Sequence, residues 1–115
     1  MMQITKQEYS QYMFLLEQAI KDYAQKINGL YISIDKLQNN NSIYGNYEGS
    51  LGIEDMYTLA ESFILTQQEY FKKWYKLNKA LQLKGLPYYL PGKYRGIGQY
   101  IKGVTRYTDL ITSDL

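Results

Sequence analysis

The 115-residue sequence contains neither cysteine nor histidine. Without thiols there is no disulfide framework and no thiolate metal site, which fits a reducing compartment. Without imidazole the commonest general base and the commonest zinc ligand are both missing. No Glu-x-x-His ligand set can exist, the serines and threonines have no histidine to activate them, and an enzyme is not expected. No metal and no cofactor are expected either. No apolar run approaches the roughly 18 to 20 residues of a membrane span. The opening "MMQITKQEY" lacks the charged and apolar regions of a signal peptide. These absences predict a soluble, unprocessed chain with no membrane partner. Its expected location is cytoplasmic, in the host cytoplasm if the source is viral.

Fourteen tyrosines stand against three phenylalanines and one tryptophan. With abundant Ile, Lys and Asn, this choice matches an AT-rich genome and favours a phage, virus, plasmid or low-GC bacterial source. The length fits one domain that can bury an ordinary apolar core.

Hydrophobic period is the clearest signal. After a capping box formed by Thr5 and Glu8, apolar or tyrosine residues fall at Tyr9, Met13, Leu16, Ile20, Tyr23, Ile27, Leu30, Ile34 and Leu37 in alternating steps of four and three. A second seam of the same length runs Ile53, Met56, Ala60, Phe63, Gln67, Tyr70, Trp74, Leu77 and Leu81. It stops at Gly85, with Pro87 just beyond. The polar stretch "QNNNSIYGNYEGS" between the seams suits a turn between antiparallel helices. One stretch competes with this reading, because "LYISI" alternates Leu30, Ile32 and Ile34 as a strand would. The seam keeps phase across Gly29 and favours a continuous helix, with a strand at 30–34 left open.

Apolar positions remain off the seams: Tyr57, Ile64 and Phe71 on the second helix, Phe14 and Leu15 on the first. Either a third element covers them or the protein associates. A third element is available, because Tyr94, Ile97, Ile101, Val104, Thr108 and Ile111 again step by three and four. Gly96, Gly98 and Gly103 make it a marginal helix that needs packing to persist. The predicted fold is all-α and oligomeric, a long antiparallel helical hairpin with a glycine-interrupted C-terminal helix. The predicted single domain comprises a helix at 5–38, a loop at 39–51, a helix at 52–84, a linker at 85–92 and a C-terminal helix at 93–112. Gln67, the lone strongly polar seam residue, reads as a register device.

Charge is lopsided. Residues 1–69 hold four lysines against nine carboxylates, whereas residues 70–108 hold nine cations and no acid. Glu54 and Asp55 suit a helix start, while Glu17 with Lys21 and Asp22 with Lys26 read as i, i+4 pairs. In the basic tract, helical spacing groups Lys72, Lys76 and Lys79 on one face and Arg95, Gln99, Lys102 and Arg106 on another. Tyrosines interleave with both. Cations for phosphates and flat rings for bases are what a nucleotide or single-strand site uses. A solvated tract, neutralised in part by the acidic half, stands level with that reading.

The stretch "GKYRGIGQYIKG" fails both nucleotide motifs that its glycines suggest, because its spacing is neither G-x-G-x-x-G nor G-x-x-x-x-G-K-[ST]. A phosphate nest at the start of a helix remains one reading. The favoured one is a smooth strip, with Gly92, Gly96 and Gly103 on one helix face admitting a close neighbour.

The leading expectation is a non-enzymatic binding protein for an anionic ligand, nucleic acid or nucleotide. Lys72, Lys76, Lys79, Lys93, Arg95, Lys102 and Arg106 are the candidate phosphate contacts, with Tyr94 and Tyr100 stacking or hydrogen bonding. The alternative is a helical assembly or inhibitor protein of phage or viral type that docks an acidic protein surface. A third is a coiled-coil adaptor with no charged ligand. A homo-oligomer is expected under each reading.

Overall fold

In the computed structural model, residues 6–39 and 52–112 are described. Residue 5 of the expected capping box and residues 40–51 of the expected connection lie outside them. Two long helices, α1 (Lys6–Asn39) and α2 (Ile53–Leu83), are followed by two short ones, α3 (Pro91–Gly98) and α4 (Thr108–Thr112). The fold is all-helical among the described residues.

α1 and α2 run antiparallel. Tyr23 meets Phe63, Tyr31 meets Tyr57, and the carbonyl of Ile20 accepts a hydrogen bond from Gln67. Every position of both seams is buried or half-buried, so the four-and-three step identifies the contact line of each helix correctly. α1 continues through "LYISI" without a break. Helical pitch puts Leu30 and Ile34 on the seam, where Ile34 is buried, and leaves Ile32 exposed. A strand there would have needed a pairing partner. Gly29 costs the helix about 1 kcal/mol, which the buried residues Ile27 and Ile34 on either side outweigh.

The end of α2 follows from its sequence. Gly85 has a φ of 72°, its N–H donates to the carbonyl of Gln82, and the N–H of Leu86 donates to that of Leu81. This paired arrangement satisfies carbonyls that the helix end would otherwise leave open. The chain then reaches Pro91, which opens α3 at the position where its missing N–H is harmless.

Beyond α3 the structure corrects the expected helix over 93–112. The chain is irregular between α3 and α4, and three local causes are visible. A Cβ on Gly98 would stand 2.5 Å from the ring of Tyr107, so this glycine is where the returning chain crosses. Gly103 has a φ of 80°, and a Cβ there would meet Ile64 at 2.5 Å. Between these glycines, side chains of α2 bond the backbone in place of a helical ladder. Gln67 donates to the carbonyl of Tyr100 and accepts from the N–H of Lys102, and Gln68 donates to the carbonyl of Lys102. The expected glycine strip is corrected as well, because nothing lies within 4 Å of a Cβ on Gly92 or Gly96.

The C-terminal segment therefore descends α2 from Asn78 to Ile64, turns at Gly103 and climbs back past Phe71. It covers Ile64 and Phe71, as expected of a third element, whereas Phe14 and Leu15 stay exposed. The core gathers Met13, Leu16 and Ile20 of α1, Phe71 and Trp74 of α2, and Tyr94, Ile97, Ile101 and Leu110 of the C-terminal segment.

The two glycine environments give opposite expectations for alanine. Gly96→Ala, in a helix with open space around it, should stabilise by about 0.5 to 1 kcal/mol. Gly103→Ala should destabilise by about 2 kcal/mol or more through its positive φ and the contact with Ile64. Urea unfolding midpoints check both, and equal effects would contradict the turn at Gly103.

Candidate anion-binding surface

The basic tract takes its shape from two buried amides on α2. Gln67 and Asn78 are both 0% exposed. The Asn78 amide donates to the carbonyl of Tyr89 at 3.0 Å and to Tyr94 Oη at 2.7 Å, and its Oδ1 accepts from the N–H of Tyr89 at 2.7 Å. Gln67 makes three bonds of 2.8 to 2.9 Å, to Ile20, Tyr100 and Lys102. Both side chains bond irregular backbone that helices cannot satisfy. Trp74 packs between them, stacked on Tyr89 and edge-on to Tyr94. Its Nε1 is buried without a hydrogen-bond partner.

This framework separates the expected site residues. Tyr94 belongs to the core, wedged against Trp74 and Tyr75 with its hydroxyl held by Asn78. Lys93 reaches across to α1 while staying partly exposed, and its Nζ donates to Glu17 Oε1 at 2.9 Å. Glu17 is buried on α1 and pairs here rather than with Lys21, whose ammonium stands over the ring of Tyr100. Lys26 likewise stands over Tyr23 and Phe63 rather than beside Asp22. Arg95, Lys102 and Arg106 do not share a helix face, because the chain between α3 and α4 is not helical. Arg95 is exposed on α3, Lys102 lies at the turn, and Arg106 precedes α4 with a 3.6 Å contact to Asp109.

Lys72, Lys76 and Lys79 do come together. With Tyr75, Ala80, Leu83 and Ile111 they line an open groove of about 260 Å³ between α2 and the end of α4. Lys72 also approaches Glu69 of its own helix at 3.8 Å. Lys93 of the tract forms an ion pair with Glu17 of α1. Helical spacing sets Lys72, Lys76 and Lys79 on the side of α2 opposite its seam.

Most tyrosines of the basic tract have ring neighbours within the chain, while Tyr88 is exposed. Lys73 stands over Tyr70, Lys79 over Tyr75, Lys84 over Tyr9 and Lys93 over Tyr89, at 5.1 to 6.0 Å from ring centres where Lys26 over Tyr23 is included. Such contacts are worth about 0.5 to 1 kcal/mol each at exposed sites. A second cavity of about 130 Å³, lined by Tyr9, Met13, Leu81, Pro87, Tyr88 and Tyr89, opens where α1 meets the linker.

Three determinants lie outside what spacing alone indicates. Spacing makes Gln67 a register device and Glu17 a partner of Lys21, and it gives Asn78 no role. A signal was present, because residues 67, 71, 74, 78 and 81 form one helical stripe in which Gln67 and Asn78 are polar exceptions among Phe71, Trp74 and Leu81.

No helix among the described residues is long and apolar enough to cross a membrane. Nor do three metal-capable side chains gather among them. No protein-family model matches the chain, and no curated protein or solved structure matches it.

The ion pair has a pH signature. The hydrogen bond to Glu17 raises the Lys93 pKa above its ordinary value of 10.5, against a smaller opposing effect of burial. A raised ammonium pKa contributes stability that is complete below the unfolded value and is lost as pH climbs through the folded one. Wild type should therefore be more stable than Glu17→Gln near pH 7 and lose that advantage above about pH 10.5. Thermal unfolding of both proteins from pH 7 to 12 checks this, and a constant difference across the range would contradict it.

Proposed function

We propose that this chain is a non-enzymatic binding protein whose cationic C-terminal half docks on an acidic surface of another protein. The observation that carries the reading is the grouping of Lys72, Lys76 and Lys79 at one groove, on the side of α2 opposite its seam. Cations arranged this way steer an acidic partner and fix its orientation. The ring contacts favour a protein over a nucleic acid. Base recognition uses free aromatic faces, whereas Tyr70, Tyr75, Tyr89 and Tyr100 each carry a lysine of the same chain over one face and Tyr94 is buried, which leaves Tyr88 as the most exposed ring of the tract. A phosphate backbone remains the competing polyanion.

Self-association, expected from the leftover apolar surface, rests on Tyr12, Phe14 and Leu15. They are 49%, 57% and 63% exposed on α1. Replacing Phe14 and Leu15 with serine should reduce the mass seen in sedimentation if that surface joins copies. An unchanged mass would remove the support for an oligomer.

Binding of a glutamate-rich peptide and of a single-stranded oligonucleotide, both at about 0.15 M salt, separates the two polyanions. The expected result is measurable peptide affinity that falls about tenfold when Lys72, Lys76 and Lys79 become glutamine. Binding of the oligonucleotide alone, with a steep salt dependence, would favour the nucleic-acid reading. Binding of neither would overturn the proposal.

A further inference from the structure

Phe14 departs from the way this chain uses its rings. Exposed rings are otherwise tyrosines such as Tyr12, Tyr31 and Tyr88, whose hydroxyl edge water can solvate. Of the three phenylalanines, Phe71 is fully buried and Phe63 packs against Tyr23, whereas Phe14 is 57% exposed on α1. One helical turn before Phe14, Ser10 borders the cavity of about 130 Å³ where α1 meets the linker. Ser10 also borders the shallow surface formed by Gln11, Phe14 and Leu15. The projecting ring and the cavity therefore lie side by side.

The cavity suits an aromatic ring, since apolar cavities of about 150 Å³ take up benzene. Its floor is the buried pair Met13 and Leu81, and Tyr9, Tyr88 and Tyr89 supply ring walls. Tyr89 is stacked on Trp74 and carries Lys93, while Lys84 stands over Tyr9. These contacts order the walls in advance, which removes a cost of binding. Phe14 of the same copy lies outside the lining.

Resting on the self-association reading, we propose that the cavity receives the Phe14 ring of a second copy, in a two-fold dimer where each copy gives one ring and accepts one. A two-fold interface uses the same patch on both partners, so a projection must sit beside the hollow that receives its counterpart. Ser10, common to both features, places the axis close by. A foreign partner would use the cavity and leave Phe14 in water; a second copy accounts for both. The contact is apolar and aromatic, and it calls on no ammonium group.

The test is sedimentation of the full chain across a concentration series. Wild type should dimerise. Phe14→Ala removes the ring and leaves the cavity open, whereas Ser10→Trp, at an exposed position, fills the mouth and leaves Phe14 in place. Each variant alone should dissociate about tenfold more readily than wild type. Mixed in equal amounts, they should associate more tightly than either alone, because the Phe14 ring of the Ser10→Trp copy enters the open cavity of the Phe14→Ala copy. That restores one of the two contacts, and simple loss of folding would not be rescued by mixing. A mixture no tighter than its components, or a variant that dimerises as wild type does, would overturn the seating of Phe14 and leave self-association standing. A wild type that stays monomeric throughout the series would overturn both and leave the cavity to a foreign ring.

Discussion

The structure depends on a small set of buried side-chain amide bonds to irregular backbone. A two-helix hairpin built on heptad seams leaves Phe71 beside the seam of α2 and one flank of the seam residue Trp74 to be covered, and both are fully buried here. The chain that covers them is not regular, so its N–H and carbonyl groups have no ladder to join. Burying such groups unpaired costs about 1 to 3 kcal/mol each. Gln67 joins α1, α2 and the C-terminal segment through three hydrogen bonds, and Asn78 secures the linker and Tyr94 through three more. Placing polar side chains inside an apolar stripe is favourable only because each is fully used.

The same bonds determine where the charge goes. Because the segment runs down α2 and returns, its cations are distributed over α3, the turn at Gly103 and the approach to α4. Lys93 is drawn to Glu17 across the core edge, and Ile111 is brought beside the lysines of α2. A continuous third helix would have gathered Arg95, Lys102 and Arg106 on one face. The amide bonds leave the α2 lysines at their groove as the concentrated feature, and the proposed docking role rests on that feature.

Much of this was legible in the sequence because period reports burial directly. The seams located both long helices, Gly85 with Pro87 located the end of α2, and the three-and-four step of Tyr94, Ile97 and Ile101 marked residues that are buried. That last pattern misled about conformation. Its spacing satisfied a helix, but Gly98 and Gly103 meet Tyr107 and Ile64 at distances that depend on the folded path. The candidate site was legible in part. Lys72, Lys76 and Lys79 are local to one helix, so spacing sufficed; Lys93 and Glu17 are 76 positions apart, and no helical spacing could pair them. The role of Gln67 was hidden for the same reason, because its partners Ile20, Tyr100 and Lys102 come from both sides of it in sequence.

The central claim is that side-chain amides, and not a third helix, hold the C-terminal segment on the hairpin. Hydrogen exchange at the Lys102 N–H tests it most directly, because this group lies outside every helix and its acceptor is Gln67 Oε1 at 2.9 Å. The expected result is slow exchange, comparable to core amides of α2 such as that of Phe71. Exchange at the rate of an unprotected loop amide, with the α2 core still protected, would contradict it.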